Sequence, residues 1–87
     1  MSIVSPDMRN VIVSKLGTEE GPYTVVRWHV SDGNVVQRDD VLCELEAGKA
    51  VVEIRSDVSG TVVVIQRKEG EEVPVGETLC SIAEGVD

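Results

Sequence analysis

Lys49 is the residue of this chain whose type and setting suit chemistry. It is one of three lysines in 87 residues, and with Gly48 it separates two strand-like runs, Val41 to Glu46 and Ala50 to Ile54. Two strand runs parted by Gly-X predict a two-residue hairpin, with glycine at the first central position of a type II′ turn. The lysine then stands at the tip with its side chain in water. Its neighbours Ala47, Gly48 and Ala50 are small, which leaves room for an enzyme to reach the amine and for the amine to carry a bulky group. Glu46 lies three residues before it and Glu53 four after. A lysine that attacks carbonyls by itself needs a desolvated or cation-flanked site, and this one has carboxylate neighbours. The pattern predicts a lysine modified by another enzyme. It is not a phosphate loop: the first glycine of that motif would fall at Cys43, and Ala50 lacks the hydroxyl that would hold magnesium.

The elements that must position this tip form a repeat. Residues 24–46 recur as residues 61–83, without a gap, at an offset of 37. Seven of the 23 positions are identical: Thr24/Thr61, Val25/Val62, Val26/Val63, Gly33/Gly70, Val36/Val73, Leu42/Leu79 and Cys43/Cys80. Roughly two would match by composition alone. Asp32/Glu69, Asp40/Glu77 and Leu45/Ile82 keep the chemistry. The chain is therefore two copies of one β unit, joined by a connector that carries Lys49. The counterpart of Ala47 is Glu84, so the second copy's tip falls where the chain stops. Lysine and termini are predicted at opposite ends, a polarity that suits a domain held by one end and working with the other.

Strand and turn signals agree with an all-β fold. Val11–Val13, Tyr23–Val30, Val35–Val36, Val41–Glu46, Ala50–Ile54, Thr61–Arg67, Val73 and Thr78–Ala83 read as strands of mostly β-branched residues. Turns are predicted at Gly33, Gly60, Gly70 and Gly76. Pro74 opposes Gln37 in the repeat, which marks a sheet edge or a strand start. The stretch Gly17-Thr18-Glu19-Glu20-Gly21-Pro22 reads as an acidic loop. The expected organisation is a leader over residues 1–10, one domain over 11–83 and a tail over 84–87.

Composition narrows the function. The core is aliphatic: there is no Phe, and Tyr23 and Trp28 are the only aromatics, so a deep aromatic-lined pocket is not expected. A formal charge of −8 repels phosphate and argues against nucleic acid. It also favours solubility and could steer the domain toward a basic partner. No apolar run is long enough to span a membrane, and residues 1–10 resemble neither a signal nor a transit peptide, so a cytoplasmic location is expected. Cys43 and Cys80 lie inside strand patterns and read as buried thiols. His29 reads as an outward-facing strand residue. No metal-ligand spacing and no catalytic set occurs.

The segments Thr24-Val25-Val26-Arg27-Trp28, Asp32-Gly33, Val41 to Glu46, Gly48-Lys49-Ala50 and Gly60-Thr61-Val62 together resemble a lipoyl domain of the biotinyl/lipoyl attachment family, over roughly residues 11–83. The resemblance implies a flattened barrel of two four-stranded antiparallel sheets with quasi-twofold symmetry. It implies a non-catalytic, monomeric swinging-arm carrier, with lipoic acid amide-linked to Lys49, or biotin in the sister branch. A third reading is an unmodified lipoyl-like adaptor. The tip residues Glu46, Ala47, Gly48 and Ala50 would be read by the lipoate-attaching enzyme. Gly33 and Gly60 match the family's flanking glycines, and the loop Gly17, Thr18, Glu19, Glu20, Gly21 matches its partner-recognition loop. Gly48 stands where lipoyl domains usually place Asp. The implied partners are the decarboxylase, acyltransferase and dihydrolipoyl dehydrogenase components of a 2-oxoacid dehydrogenase-type complex.

Overall fold

The computed structural model describes residues 8–14 and 22–84. Eight strands follow one another: β1 (Met8–Ile12), β2 (Tyr23–Trp28), β3 (Val35–Val36), β4 (Val41–Ala47), β5 (Ala50–Arg55), β6 (Gly60–Ile65), β7 (Glu72–Val73) and β8 (Thr78–Glu84). They form two four-stranded antiparallel sheets, β1-β8-β6-β3 and β5-β4-β2-β7. Each sheet takes two strands from each half of the chain. Neither half can therefore cover its own apolar face, and the two copies fold as one interlocked unit.

The repeat is visible in the hydrogen bonds. Gly33 N–H donates to Val62 O at 2.7 Å, and Gly70 N–H donates to Val25 O at 2.8 Å, the same bond 37 residues on with the halves exchanged. Asp32 Oδ1 accepts from Ile65 N–H at 3.0 Å, and Glu69 Oε2 accepts from Trp28 N–H at 2.9 Å. Each turn carboxylate thus closes an orphan donor in the other half. Both copies break register at the same place, beside Val26 and beside Val63. The strands β1 and β5 also correspond, shifted by 43 residues: Met8 pairs with Ala83 as Val51 pairs with Glu46. The shift exceeds 37 because ten residues connect β1 to β2 while four connect β5 to β6.

The core lies between the sheets as two clusters. One contains Val13, Tyr23, Val25, Cys43, Leu45, Ala47, Val73 and Leu79; the other contains Val36, Leu42, Val58, Val62, Cys80 and Ile82. Trp28 and Val11 pack against both, and the Trp28 indole N–H donates to Arg67 O at 2.6 Å. Each full burial of an aliphatic side chain contributes about 1.5–3 kcal/mol. The cysteines are free and buried as expected.

Three boundaries differ from the sequence reading. The first strand includes residues 8–10 of the expected leader, because Met8, Arg9 and Asn10 pair with Ala83, Ile82 and Ser81. They carry no β-branched residue, so nothing in their sequence marks a strand; an edge strand tolerates such residues because one side faces water. Glu84 belongs to β8 and not to a tail. Gly60 is not at a turn. It opens β6, paired with Val36 and Glu84. Residues 1–7 and 85–87 lie outside the described residues.

Candidate functional site: the Lys49 hairpin

Ala47 pairs with Ala50, which leaves Gly48 and Lys49 as the two central residues of the β4–β5 turn. Gly48 has φ +64°, while Asp39 is the described non-glycine residue with positive φ. Positive then negative φ is the II′ pattern expected from Gly-X, and it matches the right-handed twist of the strands it joins. Ala47 is 3 % exposed and anchors the inner side of the turn in the core. Gly48, Lys49 and Ala50 are exposed. Among the described residues nothing hydrogen-bonds or ion-pairs with the Lys49 amine. The backbone of the tip is fixed and the amine is free.

The tip lies about one strand length from Met8 and Glu84, the first and last described residues. Val36 of β3 pairs with Gly60, and Gly60 pairs with Glu84. From Val36 the chain turns through residues 37–40 straight into the start of β4, and Asp39 N–H donates to Ser56 O there. The seven residues of β4 then carry it about 23 Å to the tip. Met8 and Glu84 are at one end, and Lys49 is at the other. The described residues that flank the acidic stretch between β1 and β2 are held beside β7 and its following turn. Val13 bonds to Gly76 and Glu77, and Tyr23 pairs with Val73 beside Thr24 and Glu46. The predicted loop residues 17–21 themselves lie outside the described residues.

The predicted glycines divide by role. Gly33, Gly70 and Gly76 have φ near +90° and supply turn conformations that a side chain rarely adopts. Gly60 serves by close approach: a Cβ there would lie 2.9 Å from Ala83 C and closer still to its carbonyl oxygen. The remaining tip residue, Glu46, points outward from β4 one position behind the turn. The structure adds residues that the sequence reading did not group with the tip. Val51, Glu46, Thr24 and Glu72 face one another in turn across β5, β4, β2 and β7. No short-range spacing links Glu72 to Lys49, and only the repeat register could have found it.

Among the described residues no other group is built for catalysis. Burial, followed by the nearby Cys80 and Glu44, pushes the Cys43 thiol up to about 12; burial and then Asp32 push Cys80 up to about 11. Protonated buried thiols are poor nucleophiles. His29 Nε2 lies 2.9 Å from Glu44 Oε2 on the exposed face, with no nucleophile within the pair. Among the described residues no three His, Cys, Asp or Glu side chains gather around a metal position.

What the fold and the tip define is a carrier class: a rigid β domain that presents one unencumbered lysine. Comparison with known proteins agrees. The family model described as "Biotin-requiring enzyme", for the biotin/lipoyl domain, matches residues 9–82. The solved lipoyl domain of the 2-oxoglutarate dehydrogenase complex from Azotobacter vinelandii superposes with a TM-score of 0.70 at 32% identity, covering 86% of this chain and 99% of that one. The succinyltransferase component of the 2-oxoglutarate dehydrogenase complex of Rickettsia bellii is 35% identical over 75 residues, which is 86% of this chain and 19% of that protein. The acetyltransferase component of the pyruvate dehydrogenase complex of Staphylococcus aureus is 42% identical over 66 residues, 76% of this chain and 15% of that protein. The chain belongs to the biotin/lipoyl attachment family, as a non-catalytic carrier domain. It spans about a fifth or less of the length of these curated relatives.

Proposed function

We propose that the chain is a lipoyl carrier, lipoylated on Lys49, that serves a 2-oxoacid dehydrogenase-type complex. The observation that carries this is Lys49 itself: an amine with no partner among the described residues, on a two-residue turn a strand length from Met8 and Glu84. The similarity to an isolated lipoyl domain and to acyltransferase components supports lipoate over biotin, as does Ala50 beside the lysine. The site fits the group, since Gly48 and Ala50 put no bulk against the amine and Lys49 would hold the lipoyl carboxyl as an amide. When attached, the dithiolane supplies the acyl-transfer and redox chemistry. The chain's own residues do something simpler. Ala47 and Gly48 fix where the arm is rooted, and the barrel keeps that root a strand length from Met8 and Glu84. Tethering then gives the arm an effective concentration on the order of millimolar at each active site it reaches. The enzymes served would be a decarboxylase, an acyltransferase and a dihydrolipoyl dehydrogenase.

Intact mass tests the reading. Co-expression with a lipoate-attaching enzyme should add one lipoyl group to the wild type and none to Lys49→Arg, which should remain folded because the side chain makes no contact the barrel needs. A lipoylated Lys49→Arg protein, or a wild type that accepts biotin in preference, would overturn it.

A further inference from the structure

The duplicated fold contains its own control for surface charge. On the outer face of β5-β4-β2-β7, the row immediately behind the tip reads Val51, Glu46, Thr24, Glu72. The equivalent row on the other sheet reads Met8, Ala83, Thr61, Val35. The backbone task is the same in both rows, strand pairing for strand pairing. The second row performs it with no charge, so the fold does not require Glu46 or Glu72. The next row back differs in kind. There Glu44 faces Glu53, but Glu53 is paired with Arg55 at 2.6 Å and Glu44 meets His29 at 2.9 Å. Glu46 and Glu72 have no such cation among the described residues. Val51, 56 % exposed, ends the same row on the edge strand β5, directly across from Glu46. Two uncompensated carboxylates and one exposed aliphatic side chain thus form a strip across all four strands, continuous with the Lys49 turn.

We infer that this strip, with Glu72 as its member from the second repeat, is the docking face for the enzyme that acylates Lys49. That partner would present cations to Glu46 and Glu72 and an apolar spot to Val51. The inference rests on the lipoyl reading above and adds to it the side from which the lysine is approached. Unpaired rim charges of this kind act on encounter and orientation, and mutating them changes association more than the bound chemistry. The covalent step is ordinary. The lysine amine and the lipoate carboxylate form an amide, ATP is split to AMP and pyrophosphate, the carboxylate oxygen leaves on AMP, and a proton passes to solvent.

The test compares Glu72→Lys with Val35→Lys, the same strand position on the opposite face. The unlipoylated protein is incubated with a lipoate ligase, lipoate and ATP, and initial rates are read by intact mass at several protein and salt concentrations. Glu72→Lys should lower kcat/KM by about tenfold, through KM with kcat retained, and the loss should shrink as salt rises. Val35→Lys should stay within about twofold of wild type. Glu72→Gln should lie between, and Glu72→Asp should restore the wild-type rate, which a merely structural role would not produce. Equal rates for Glu72→Lys and Val35→Lys, in a wild type that is lipoylated, would overturn the docking face alone. A wild type that accepts no lipoate would overturn the lipoyl reading and the docking face with it.

Discussion

The two sheets are built from the same repeat and present opposite surfaces. Around the lysine, β5-β4-β2-β7 shows water Glu44, Glu46, Glu53 and Glu72. The equivalent places on β1-β8-β6-β3 carry no acid: Asn10 and Val35 are exposed, Ala83 is half-buried and Ser81 is buried. The buried sides differ far less: Val25, Leu42, Cys43 and Val36 answer Val62, Leu79, Cys80 and Val73, all buried. Packing held the two interiors alike, because a core tolerates little change in volume. No such constraint acts on the outer faces, which were free to diverge. In a duplicated barrel the residues that differ between copies on exposed positions are therefore the ones to examine for function, and those that agree inside are the ones that hold the fold.

Four variants, one of them double, probe where the copies agree and where they part. Gly60 and Tyr23 are repeat counterparts, yet one lacks a side chain and the other is a fully buried ring. The largest effect is expected at Gly60→Ala, whose Cβ meets the Ala83 backbone. Backbone cannot swing aside as a side chain can, so a loss of about 3 kcal/mol or more is expected in urea unfolding. A loss under 1 kcal/mol would show that β6 and β8 are not packed as closely as described.

The paired thiols come next. Both are raised in the folded state, to about 12 and about 11 from an ordinary value of 9.0. Below pH 9 they are protonated whether the chain is folded or not, and they contribute no pH dependence. Above it the unfolded chain loses those protons first, so stability falls with rising pH until the folded thiols also titrate. The slope from each thiol should begin near pH 9 and approach about 1.4 kcal/mol per pH unit roughly one unit higher. Denaturation midpoints measured at pH 8, 9 and 10 should show the decline, and Cys43→Ala should lessen it. A midpoint independent of pH over that range would contradict the burial.

Asp39 holds φ +78° where its counterpart Gly76 holds +95°. Asp tolerates this conformation better than most residues, but a Cβ there still costs energy. Asp39→Gly should raise stability by about 0.5 kcal/mol after glycine's extra unfolded-state entropy is subtracted. A clear loss instead would mean that the Asp39 side chain holds the turn. The smallest effect is expected from giving the acidic row the residues of its neutral twin. Glu46→Ala with Glu72→Val should leave the thermal midpoint within the range of about 0.5 kcal/mol typical of surface changes. A large destabilisation would make those carboxylates structural and end the contrast between the faces.

Much of this molecule was legible in the chain. Valine-rich alternation, turn glycines and the 37-residue repeat determined two copies of a three-strand unit, and Gly48-Lys49 between strand runs determined a tight turn with an exposed amine. Those are local properties, set by φ/ψ preference and side-chain period. Other features depend on what a strand lies beside, which no local signal records. The strand at Met8–Ile12 exists because β8 offers it an edge. Gly60 is glycine because Ala83 crosses over it, and not because the chain bends there. Glu72 joins the lysine's surroundings only once β7 pairs with β2. The sequence by itself determined the repeated strands, the positive-φ turns and the tip; tertiary pairing decided the edge strand at Met8, the place of Gly60 and which distant residues share a face with the tip, because register across a sheet is fixed by neighbours and not by order along the chain.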